Sequence, residues 1–85
     1  MKTFDDPRAL RVAVRRGFLI VDLVDGRRVS VPVHWFPRLL HATREQHDAW
    51  ELLDEGRGIR WPSIDEDLSV AGLLRGGHDS SRRAI

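Results

Sequence analysis

The chain of 85 residues contains no cysteine. That excludes a disulfide framework, a thiolate metal site and a cysteine nucleophile, and it fits a reducing compartment. There is no apolar run near the roughly 20 residues needed to span a bilayer. The stretch Met1–Leu10 carries one lysine and no apolar core, so it does not read as a signal peptide. Cytoplasmic placement is the expectation. No internal repeat, low-complexity tract or interior linker divides the chain. An excess of either charge is also missing: the net charge is +1, which by itself predicts neither a nucleic-acid nor a membrane partner.

With 41% hydrophobic and 32% charged residues, the chain has the balance of a small globular protein and is too apolar for intrinsic disorder. Its length fits one domain, near the lower limit for folding without staples. Charge is segregated. Residues 1–47 hold nine Lys and Arg against five acids, residues 48–74 hold two Arg against seven acids, and residues 75–85 return to net +2. Blocks of this kind can steer a partner, although a solvated surface is the preferred reading.

Residues 1–8 read as a flexible arm. Leu10, Val12 and Val14 then alternate with polar residues, Arg16-Gly17 suggests a turn, and Phe18–Leu23 is short and β-branched. Asp25-Gly26 is the dipeptide of a type I′ hairpin, and Val29 and Val31 alternate beyond it. Three antiparallel strands in a meander are predicted. Pro32 ends strand pairing, and a short helix is expected over His34–Leu40. Thr43-Arg44-Glu45-Gln46 matches a capping box for a second helix, Arg44–Trp50. Glu51–Leu53 and Gly58–Trp61 are candidate strands around the acidic loop Asp54-Glu55-Gly56. Asp67 or Ser69 can cap a last helix through Leu74, ended by Gly76-Gly77, with a polar tail over 77–85.

Four groups of residues bear on function. His34, His41 and His47 lie seven and six positions apart, poor spacing for a helical metal site, so no metal is assigned. Asp65-Glu66-Asp67 could hold a cation or do acid–base work, but acids also favour a helix N-terminus, and that reading is preferred. Among the tryptophans, Trp50 is expected in the core, with Trp35 and Trp61 partly exposed, where aromatic and arginine side chains favour interfaces. Arg8, Arg11, Arg15, Arg16, Arg27 and Arg28 gather on the meander. Nucleic-acid binding requires them on one face with an aromatic to stack bases, and Phe18 is the one aromatic among the strands.

Trp35-Phe36-Pro37-Arg38-Leu39-Leu40, Trp50-Glu51, Gly58-Ile59-Arg60-Trp61-Pro62 and Asp65-Glu66-Asp67-Leu68-Ser69-Val70 occur in one order. Together they resemble the bacterial domain of unknown function 2442 family. The likeness extends over about residues 10–76, from the Asp25-Gly26 hairpin and Val31-Pro32 to Leu73-Leu74-Arg75-Gly76. The resemblance implies a small α+β domain of bacteria and archaea, standing alone or fused to a helix-turn-helix. Stand-alone members are often encoded beside a small uncharacterised protein, as in a toxin–antitoxin pair. It implies no catalytic residues. Little chain follows Gly76, so an attached helix-turn-helix is not expected.

The predicted fold is α+β: a three-stranded N-terminal meander, short helices and one or two short C-terminal strands packed as a two-layer domain over residues 9–76. Its core should draw on Val12, Val14, Leu19, Val21, Val29, Val31, Phe36, Leu39, Leu40, Trp50, Leu52, Ile59, Leu68, Leu73 and Leu74. The predicted function is a non-enzymatic protein-interaction module, antitoxin-like, binding the product of an adjacent gene through Trp35, Asp54, Glu55, Arg60 and Trp61. The acidic 48–74 block would cover a basic partner. The alternative is a nucleic-acid-associated regulator using Arg11, Arg15, Arg16, Arg27 and Arg28. Homodimerisation through a free sheet edge is a further option. No cofactor is expected, and no nucleophile–base spacing supports a hydrolase.

Overall fold

The computed structural model describes residues 6–76, so the tail expected over 77–85 and the first five residues of the arm lie outside the described residues. Strands β1 (Ala9–Arg15), β2 (Phe18–Leu23) and β3 (Arg28–Pro32) form the antiparallel meander in that order. The tight turn falls at Arg16-Gly17, where both central residues hold positive φ, +51° and +83°, the type I′ signature. The Asp25-Gly26 expectation needs correction. Leu23 N–H donates to Arg27 O at 2.8 Å and Gly26 N–H to Leu23 O at 3.0 Å, which makes a three-residue loop. Only Gly26 is left-handed there, and the Asp25 carboxylate instead accepts the Arg27 N–H at 3.0 Å.

The predicted helix over His34–Leu40 is split. A 3₁₀ turn covers Val33–Trp35, and α1 is the single turn Pro37–Leu40. Helix α2 is Arg44–Asp48, and its capping box is formed: Gln46 N–H donates to Thr43 Oγ1 at 3.1 Å and Thr43 N–H to Gln46 Oε1 at 2.9 Å. Strands β4 (Glu51–Leu53), β5 (Gly58–Trp61) and β6 (Glu66–Ser69) build a second antiparallel sheet with β5 central. Glu66 and Asp67 therefore belong to a strand and do not cap a helix as predicted. The last helix, α3 (Val70–Arg75), takes its cap from Ser69, whose Oγ accepts from Gly72 N–H at 2.8 Å. The fold is α+β, with a full second sheet in place of one or two short strands.

Both sheets supply one continuous core. Val12, Leu19, Val21, Leu23 and Val31 come from the first sheet, Ile59, Trp61 and Leu68 from the second, and Phe36, Leu39, Val70 and Leu73 from the connections. Val14, Val29, Trp35 and Trp50 pack partly buried against it. Three predicted core leucines lie outside. Leu40 and Leu74 each follow a buried leucine, and consecutive helical side chains diverge by about 100°, so one of each pair faces solvent. Leu52 sits on the three-residue edge strand β4, beyond the rim of the core. Trp61 corrects the expectation of partial exposure: it is fully enclosed. On the central strand β5, period-two alternation puts it on the same inward face as Ile59.

Candidate interaction site

The outward face of the first sheet is a three-by-three lattice fixed by strand register. One row is Arg11–Asp22–Arg28, the next Ala13–Ile20–Ser30, and the last Arg15–Phe18–Pro32. Arg28 grips Asp22 with two hydrogen bonds of 2.6 and 3.2 Å, and Arg11 approaches the same carboxylate at 3.3 Å. The Arg28 bond, with help from Arg11, holds the Asp22 carboxyl below its ordinary value. Phe18 is 46% exposed, and Leu10, outward beside a bulge in β1, is 52% exposed. The face thus presents apolar groups framed by arginine, with one carboxylate shared between two guanidiniums.

Around the end of this sheet lies a cleft of about 520 Å³ lined by Val14, Arg15, Arg16, Gly17, Val33, Leu40, Arg44 and His47. Its walls are the β1–β2 hairpin, the 3₁₀ turn, α1 and α2. His47 Nε2 donates to Leu39 O at 2.6 Å, and the Trp61 indole N–H donates to His47 O at 3.1 Å. These two bonds tie α2 to α1 and to β5.

The residues predicted for protein binding do not converge. Trp61 is internal, and Trp35 is half-buried against the core. Arg60 bonds Asp67 at 2.7 Å and lies 3.7 Å from Asp65. Glu55 approaches Arg8 and Arg57 at 3.5 and 3.6 Å, and the Asp54 carbonyl accepts from Arg57 at 3.0 Å. Arg57 also pairs with Asp6 at 2.7 Å, tying down the segment read as the end of the arm. Much of the acidic block is thus neutralised within the chain. Of the predicted nucleic-acid set, Arg11, Arg15 and Arg28 share the outward face, Arg15 and Arg16 line the cleft, and Arg27 is held by Asp25 at 2.9 Å. Arg44 was not singled out by sequence. A usable signal was that 13 of the 14 basic residues are arginine, the cation favoured at interfaces.

Among the described residues, no three His, Asp or Glu side chains are placed to hold a metal, and no helix is long and apolar enough to cross a membrane. A search of curated proteins returned no match. Two solved structures share the fold. A protein of unknown function from Rhodospirillum rubrum superposes with a TM-score of 0.73 at 36% identity, over 84% of this chain and 88% of that one. An uncharacterised protein from Chromobacterium violaceum gives 0.75 at 25% identity, over 92% and 73%. The family model described as protein of unknown function (DUF2442) matches residues 4–79. This chain belongs to the DUF2442 family.

Proposed function

We propose that this domain is a non-enzymatic protein-interaction module whose contact surface is the outward face of β1–β3. The carrying observation is that lattice: exposed Phe18 and Leu10 framed by Arg11, Arg15 and Arg28, with Asp22 as the counter-charge. Aromatic and arginine side chains dominate binding energy at protein interfaces, and the net cationic frame selects a partner with acidic groups around an apolar patch. The pairing of Glu55, Asp65, Glu66 and Asp67 within the chain argues against the acidic block as the main contact. The antitoxin-like form of this reading makes the product of an adjacent gene the first partner to test. Co-expression followed by affinity purification should recover a stoichiometric complex. Phe18→Asp and Arg15→Glu should each weaken it at least tenfold, while Glu55→Gln leaves it intact. A complex indifferent to both Phe18 and Arg15, or no complex at all, rejects the proposal.

A second reading has one observation in its favour: Phe18 and Arg15 are cross-strand neighbours on an open sheet face, an arrangement that can stack a base and hold a phosphate. Asp22 opposes it by drawing on both Arg11 and Arg28. A gel shift with single-stranded oligonucleotides at low salt decides this reading, because binding by phosphate contacts falls steeply as salt rises.

A further inference from the structure

We infer that the cleft between the β1–β2 hairpin and α2, which shares only Arg15 with the sheet face, is a second site that binds an oxyanion, carboxylate or phosphate monoester, carried on a small apolar group. Among the described residues, seven arginines lie within ion-pair distance of a carboxylate: Arg8, Arg11, Arg27, Arg28, Arg38, Arg57 and Arg60. Arg15, Arg16, Arg44 and, on α3, Arg75 do not; the first three line this one cleft, and no described carboxylate is among its lining residues. Arginine stays charged at any working pH, so three arginines around one cleft favour an anion there. Their planar forks match the paired oxygens of a carboxylate or phosphate. Val14, Val33 and Leu40 supply the apolar part of the lining, and about 520 Å³ is the size of a small-ligand site.

Backbone conformation points the same way. Arg16 occupies the first central position of the type I′ turn at φ +51°, where asparagine or glycine would sit with less strain. A side chain held in an unfavourable backbone region, at the lip of a charged cleft, is the kind of feature that persists for function. Arg44 stands on the first turn of α2, whose start is fixed by the Thr43–Gln46 capping box, and His47 is fixed by Leu39 O. Two of the walls are therefore built before any ligand arrives.

The test is an NMR titration of the full chain with phenyl phosphate, phenylacetate and inorganic phosphate, with benzyl alcohol as the uncharged control. Saturable shifts are expected at the amides of Arg15 to Gly17 and Arg44 to His47. At least one aromatic anion should bind tenfold or more tightly than inorganic phosphate. A response confined to phenyl phosphate assigns the ligand as a phosphate ester; one confined to phenylacetate assigns it as a carboxylate; either supports the site. The double variant Arg16→Asn/Arg44→Gln should lose at least tenfold in affinity. Arg16→Asn alone should melt no lower than the wild type, because asparagine tolerates positive φ, which separates lost binding from lost fold. No saturable shift, equal shifts with benzyl alcohol, or undiminished binding by the double variant overturns the inference. Arg15 is common to both faces, but Phe18 does not line the cleft and the double variant leaves Arg15 in place, so Phe18→Asp and Arg16→Asn/Arg44→Gln test the two readings separately.

Discussion

Trp61 combines two contributions that substitution can separate. Its rings are wholly enclosed between the sheets, and its indole N–H holds the His47 carbonyl of α2 at 3.1 Å. Trp61→Phe keeps most of the apolar contact but leaves a small void and removes the donor. The cost should be about 1–3 kcal/mol, read from the urea midpoint at unchanged slope. Trp61→Ala should cost about 3–5 kcal/mol, a large part of the roughly 5–15 kcal/mol that holds a domain folded. If Trp61→Phe were neutral, the helix tie would carry no weight. The burial itself is legible: Gly58-Ile59-Arg60-Trp61 has the pattern of a strand, and its alternation places Trp61 beside Ile59. Its full enclosure depends on β5 being central, which follows only from the pairing of β6.

At the scale of elements, local chemistry was readable and long-range assembly was not. The Thr43–Gln46 box formed as predicted because all its atoms lie within four residues. Strand β6 is not legible locally, because Asp65-Glu66-Asp67 satisfies the pattern of a helix start equally well; pairing with β5 decides the matter. The cleft was out of reach for a similar reason, since its lining comes from four elements whose adjacency no local motif encodes. The loop between β4 and β5 offers a direct test of how the two sheets are joined. Gly56 is buried at φ +96°, and a Cβ there would lie 2.9 Å from Ala9 O and 3.2 Å from Arg8 Cβ. Both the backbone conformation and the contact with β1 exclude a side chain. Gly56→Ala should therefore destabilise by about 1–3 kcal/mol in thermal denaturation, since strain of this kind costs that much. A variant as stable as the wild type would mean that the loop can leave β1 freely.

For the whole molecule, an ionic tie links chain positions far apart. Asp6 accepts from Arg57 at 2.7 and 2.9 Å and from Arg8 at 2.8 and 3.1 Å, joining the segment before β1 to the loop before β5. The hydrogen bonds from Arg57, and then those from Arg8, lower the Asp6 carboxyl from 3.8 to about 2. A folded-state value below the unfolded one means that folding is favoured while the carboxylate is ionised. Its contribution is full above pH 3.8 and is lost as pH falls through about 2. Asp22 and Asp25 are lowered too, by Arg28 and by the Arg27 backbone N–H respectively, so the wild type should lose stability on acidification from several sites. Asp6→Asn isolates one of them. The difference in melting temperature between wild type and Asp6→Asn should be constant above about pH 4 and shrink steadily toward pH 2. The Asp6 carboxyl carbon, followed by NMR, should titrate with a midpoint near 2. A midpoint near 3.8, or a melting difference that ignores pH, would show that Asp6 does not hold the two halves of the molecule together.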